Sequence, residues 1–193
     1  MKSIQIFIAI FSFLLCQAAW AKEPRHQGWN LHGALGWHPF YFDNNDDDNL
    51  NPPTGWLGGG VNLGGAYRGS GRWEGRFDLD IAYGQVGKMN RSTIKSPDTL
   101  IEAVVEPLFH FRKNPPQWDP YLIITGLGWT HLVRNSTSGI VFEFPGIGLQ
   151  CHFNDRLSGY VEGKIRASFM GIAGNQSGVA MGFWLPVGIA YRF

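Results

Sequence analysis

Charged residues alternate with apolar residues or glycine from Trp73 to Ile81, and that alternation limits what the chain can fold into. The odd positions are Trp73, Gly75, Phe77, Leu79, Ile81 and Tyr83; the even ones include Glu74, Arg76, Asp78 and Asp80. A strand turns successive side chains to opposite faces. One face of this segment is therefore apolar or glycine throughout, and the other holds four charges. The apolar face begins and ends on an aromatic, as in a membrane strand with aromatic girdles at both interfaces.

The pattern recurs along the chain. Trp29, Leu31, Gly33, Leu35 and Trp37 form one stripe, and Leu57, Gly59, Val61, Leu63, Gly65 and Tyr67 form another. Ile101, Ala103, Val105, Pro107, Phe109 and Phe111 oppose Glu102, Glu106, His110 and Arg112. A fifth stripe reads Tyr121, Ile123, Thr125, Leu127 and Trp129, blurred by the apolar Leu122 and Ile124. The sixth run, Ile140 to Phe153, changes phase at Phe144-Pro145, which predicts a bulge where proline cannot donate to the ladder. Leu157, Val161, Ile165, Ala167 and Phe169 make the seventh stripe, and Met181 to Phe193 the eighth.

Eight strands are an even number. Tight turns are expected at Gly69-Ser70-Gly71, near 114–118 and at Asn154-Asp155-Arg156, and generally longer loops near 40–54, 86–97, 134–139 and 171–179. Short turns on one side and longer loops on the other are the outer-membrane barrel arrangement, with both termini on the periplasmic side. In hydrocarbon a sheet cannot keep an unpaired edge, so the strands must close. The expectation is an all-β, eight-stranded antiparallel transmembrane barrel of up-and-down topology. Side chains just fill the interior of eight strands. Glu74, Asp78, Asp80, Glu102, Glu106 and Glu162 would face Arg76, Arg112, Lys164, Arg166 and Arg192 there, and buried charges need partners. That predicts a salt-bridged plug rather than an open channel. A soluble eight-stranded barrel would put the greasy face inside; the aromatic ends of the stripes favour the membrane form.

Composition fits. Charged residues are 16% and aromatics 15% of the 193 residues, against roughly 25% charged in a soluble domain. A net charge of +1 argues against nucleic acid as a general partner. Residues 1–21 pair a basic start with an apolar run and end on Ala19-Trp20-Ala21, a secretory signal. Residues 22–193 then form the barrel domain, with Cys151 as its one thiol. No metalloprotease, phosphate-loop or dinucleotide motif is present, so no cofactor is expected.

The closing segment, Trp184 to Phe193, resembles the C-terminal signal of bacterial outer-membrane proteins. The resemblance implies recognition by the barrel-assembly machinery through Tyr191 and Phe193. Glu106-Pro107-Leu108-Phe109-His110-Phe111, Asp119-Pro120-Tyr121, Gly126-Leu127-Gly128, Phe142-Glu143-Phe144-Pro145-Gly146-Ile147-Gly148 and Asn154-Asp155-Arg156-Leu157 resemble the lipid A deacylase barrels. That likeness implies ester hydrolysis on lipopolysaccharide by a serine with a histidine two residues before it and a later acid. Ser168 matches the serine, but Arg166 holds the histidine position and no acidic residue follows Ser168. Trp37-His38 is similar to the setting of a functional histidine in lipid A palmitoyltransferase barrels, and His131 with Ser136 and Ser138 offers another candidate constellation. Asp46, Asp47 and Asp48 in an acidic first loop are candidate divalent-cation ligands, though the glycine and glutamate of an EF-hand are missing. The favoured reading is a non-enzymatic envelope protein in contact with outer-membrane lipid and lipopolysaccharide. A lipid A acyl hydrolase, or a degenerate relative of one, is the alternative, and a narrow pore the third.

Overall fold

The structure, a computed structural model, describes residues 27–44, 54–88, 95–113, 117–134, 136–173 and 178–193. The signal at 1–21 and the acidic Asp46–Asp48 cluster lie outside the described residues. The strands are β1 (Gly28–Asn44), β2 (Thr54–Arg68), β3 (Trp73–Lys88), β4 (Lys95–His110), β5 (Trp118–Ile123), β6 (Gly126–Leu132), β7 (Thr137–His152), β8 (Leu157–Ala173) and β9 (Gly178–Arg192). β5 and β6 lie end to end as one stave, since both pair with β4 and with β7. Every pairing is antiparallel between sequence neighbours, and β1 returns to β9 through pairs such as Leu35–Val187. The result is a closed eight-stave meander barrel, with no helix among the described residues. Both ends of the described chain lie at one rim, here the terminal rim; the other is the loop rim.

The orientation of the faces follows the alternation. Phe77 is 49% exposed, whereas Asp78 and Asp80 are each 1% exposed. Leu31, Leu63, Val105, Leu127, Phe183 and Ile189 point outward on other staves. Soluble monomers rarely expose apolar patches beyond a few hundred Å², and here the whole girth is apolar. Aromatics crowd the outside of the terminal rim, where Trp29 meets Tyr67 at 5.0 Å between ring centroids and Trp73 meets Phe109 at 5.2 Å.

The structure corrects three sequence expectations. Tyr121 and Ile123, assigned above to an outward stripe, face inward at 3% and 0% exposure. Between the Val105–Leu127 and Leu108–Ile123 pairs, the β5/β6 stave carries one residue more than β4, so its faces exchange at Ile124-Thr125. Thr125 Oγ1 donates to the Glu143 carbonyl across this bulge, at 2.8 Å. On the neighbouring stave the phase change at Phe144-Pro145 appears as expected, with two residues of β7 opposite one of β8. Second, Arg112 is exposed beyond the end of β4 rather than inside. Third, the strands run further towards the loop rim than the alternation does: β1 reaches Asn44 and β3 reaches Lys88. Ladder hydrogen bonds join backbone groups alone, so pairing continues to Phe42–Thr54 and Thr54–Lys88 without an alternating side-chain pattern.

Packing inside is tight around one large ring. A Cβ on Gly36 would overlap the indole of Trp184, which is fully buried. Glycine at this position lets the ring lie across the barrel. Gly36→Ala should destabilise the barrel by about 1–3 kcal/mol, the usual range for overpacking. Denaturant unfolding of the variant beside Gly36→Ala with Trp184→Phe checks the cause, because the smaller ring should return part of the loss.

Candidate functional site

The charged faces of β3, β4, β7 and β8 meet across the barrel axis because eight staves bring opposite walls within side-chain reach. The centre is built on Lys164 and Arg76. Lys164 Nζ donates to both Glu106 oxygens at 2.8 and 3.0 Å, and lies 3.3 Å from Asp78, 3.1 Å from Glu162 and 3.6 Å from Glu143. The Arg76 guanidinium forks between Glu106 and both Glu162 oxygens, which it meets at 2.5 and 2.9 Å. Tyr121, turned inward by the bulge, donates to Glu162. His32 Nε2 lies 2.5 Å from Asp78 Oδ1.

Nearer the loop rim, Arg166 Nη1 donates to Asp80 at 2.6 Å and to Glu102 at 3.0 Å, and its Nε donates to Glu143 at 2.9 Å. Asn62 donates to the other Asp80 oxygen at 2.7 Å. Nearer the terminal rim, Arg68 donates to Asp119 at 2.7 Å and to the Arg112 carbonyl at 2.9 Å. His110 stands between Asp119, at 2.8 Å, and Glu74, at 3.4 Å.

Among the described residues the buried acids are Glu74, Asp78, Asp80, Glu102, Glu106, Asp119, Glu143 and Glu162, and the buried strong bases are Arg68, Arg76, Lys164, Arg166 and Arg192. Eight carboxylates thus face five cations. Four buried histidines share the site, and each has a nitrogen 3.9 Å or less from a carboxylate: His32 at Asp78, His38 at Glu102, His110 at Asp119 and Glu74, and His152 at Asp119. Bare carboxylates in this interior would be costly; His32, His110, Tyr121 and Ser168, each within hydrogen-bond distance of Asp78, Asp119, Glu162 or Glu102, add to what Lys and Arg supply.

The sequence expectation was right for most of this network and missed part of it. Arg68 continues the β2 alternation one step past the outward Tyr67, so its inward place was legible. Glu143 stands between two outward aromatics, Phe142 and Phe144, and was legible on the same ground. Asp119 and Tyr121 become interior only once the bulge is known.

The candidate catalytic residues do not assemble. Ser168 is fully buried inside, and its Oγ donates to Glu102 Oε1 at 3.1 Å. His38 is also buried inside, its ring tilted against Trp184 at 4.6 Å between centroids, with Nε2 3.6 Å from Glu102 Oε2. The carboxylate therefore sits between the serine and the histidine, whereas nucleophilic catalysis needs the histidine against the hydroxyl. His131 lies on the outer wall near the loop rim, parallel to Trp129, with Nδ1 2.9 Å from Ser138 Oγ. Among the described residues no ion pair or hydrogen bond joins His131 to a carboxylate, and Ser136 is exposed in the adjoining turn. Thus the two serine–histidine groupings lie on opposite sides of the wall, and neither forms a triad.

The interior leaves little space. A cavity lined by Asn30, His32, Glu74, Arg76, His110 and Gln150, among others, has a volume of about 10 Å³, roughly that needed for a single water.

The sequence matches no family profile and no curated protein. Solved structures do match. Neisserial surface protein A is similar over 84% of this chain and 97% of its own, at 12% identity and a TM-score of 0.54. The outer membrane protein OprG from Pseudomonas aeruginosa is similar over 87% of this chain and 97% of its own, at 10% identity and a TM-score of 0.53. At such identities the likeness speaks for architecture, and the chain has the closed eight-stranded antiparallel barrel fold of these small bacterial barrels.

Proposed function

We propose that the chain is an integral protein of a bacterial outer membrane, exported by its first 21 residues, that acts without catalysis through lipid contact and its outer loops. The observation carrying this reading is the inverted distribution of polarity: apolar side chains cover the outside while paired ions fill the inside. Only a bilayer makes that arrangement favourable, because each greasy side chain would otherwise lose about 1.5–3 kcal/mol in water. The terminal rim then faces the periplasm and the loop rim the exterior. Tyr191, at the end of the alternation on β9, and Phe193, just past the strand's end, are exposed, where the barrel-assembly machinery would read them. The Asp46–Asp48 loop would meet lipopolysaccharide, sharing divalent cations with its phosphates.

The ion-paired interior favours a plug over a pore. Reconstituted into a planar bilayer, the protein should give no steady ohmic current; a stable conductance would overturn the plug. A hydrolase is disfavoured because Ser168 lies inside the sealed wall against Glu102. Incubation with lipopolysaccharide should leave lipid A intact by mass spectrometry. Loss of an acyl chain that disappears in Ser168→Ala or Ser138→Ala would make the protein an enzyme.

A further inference from the structure

We infer that the terminal rim binds the phosphate headgroup of an anionic glycerophospholipid, at a cationic corner formed by Arg72, Arg112 and Lys113. The inference rests on the membrane orientation proposed above and goes beyond it. Arg72 ends the β2–β3 turn, and Arg112 and Lys113 follow Phe111 just beyond the end of β4. The two segments are neighbours because β3 pairs with β4 at Trp73–Phe109, and His110 N donates to the Arg72 carbonyl at 2.8 Å. All three cationic residues are exposed.

The corner is held from inside. Arg68, itself bound to Asp119, donates to the Arg112 carbonyl at 2.9 Å, and Phe111 N donates to the Pro120 carbonyl at 3.3 Å. The carboxylates of the flanking strands are turned away: Glu74 and Asp119 are buried against His110 and Arg68. Three positive charges therefore stand at the rim with no acid on their own segments. Directly below them on the outer wall lies an aromatic shelf, Trp73–Phe109–Phe111, with centroids 5.2 and 6.2 Å apart. Aromatic girdles of this kind mark the interfaces of a membrane barrel. Cations immediately above and acyl-facing rings immediately below match a molecule with a phosphate on top and chains beneath. A free anion would use the cations but not the shelf.

The full chain is refolded into nanodiscs of phosphatidylcholine doped with phosphatidylglycerol, and the lipids retained on release are counted by native mass spectrometry. Phosphatidylglycerol should be enriched over its share of the disc. Joint substitution Arg72→Gln, Arg112→Gln, Lys113→Gln should cut the enrichment at least about fivefold, the factor for one basic residue at an anionic surface. Arg134→Gln, at the opposite rim, should leave it in place. Wild-type protein gives a second reading that needs no variant: enrichment should fade as salt shortens the screening length. Enrichment that ignores both the triple substitution and salt overturns the site. In a second set of discs that also carry lipopolysaccharide, a preference for it over phosphatidylglycerol that the same substitutions abolish overturns the site as well. Protease protection of the barrel in the same discs separates the two claims: a protected barrel without enrichment sinks this site alone, whereas an unprotected one sinks the membrane reading too.

Discussion

Lys164→Met should destabilise the barrel by about 3–5 kcal/mol, the usual loss when one member of a buried ion network is removed. Methionine keeps the length of the stem and deletes the charge. Glu106, Glu162 and Asp78 then lose a cation now within 3.3 Å of each of them, inside a wall that water cannot enter freely. Arg76 still reaches Glu106 and Glu162, so the barrel should close but unfold at lower urea concentration. Adding Glu106→Gln to Lys164→Met removes one of the stranded charges and should recover at least about 1 kcal/mol, within the range measured for coupled neighbours. Urea titration in lipid vesicles, followed by tryptophan fluorescence, reads both numbers. Equal stability of Lys164→Met and wild type would mean that the central ions are hydrated and that the interior is no plug.

Val187→Arg should cost about 2–4 kcal/mol in a bilayer, the range for arginine at the midplane of a barrel's lipid face. Val187 is 48% exposed and pairs with Leu35 on β1 and Val161 on β8, so it lies on the seam that closes the barrel and faces outward. The size of the effect separates the environments. On a water-facing strand an exposed Val→Arg change would fall within about 0.5 kcal/mol. Ile189→Arg, two positions nearer the terminal rim, should cost less, because the penalty shrinks towards the interface. Unfolding in vesicles of the two variants side by side gives the depth dependence directly.

The wall of this barrel was legible because lipid and an ionic interior impose opposite chemistry on alternate residues. Trp73 to Tyr83 carries that contrast at nearly every step, and its inward and outward sets hold in the structure. The contrast vanishes on the fifth stave: Leu122 and Ile124 are apolar beside apolar Tyr121 and Ile123, so a shift of one residue leaves no mark in the pattern. The Phe144-Pro145 shift did leave one, since proline and a change of phase coincide there. Sequence also told which face Ser168 takes but not what waits across the barrel. Glu102 lies 66 residues away, and only closure of all eight staves brings the two together. The His131–Ser138 contact, by contrast, spans one hairpin and follows from its register. Arg112 illustrates the limit at a rim: alternation continues on paper, but beyond the end of β4 the side chain turns to water.

The orientation of the wall is tested most directly by nitroxide scanning. Cys151 is first replaced by serine, and single cysteines are placed at Phe77, Ile81, Val105 and Val187 of the protein in vesicles. Each spin label should collide freely with apolar oxygen and hardly at all with a water-soluble nickel chelate, with the ratio peaking near mid-strand. Labels that are accessible to the chelate, or shielded from both reagents as in a packed core, would contradict a barrel that shows its greasy face to lipid.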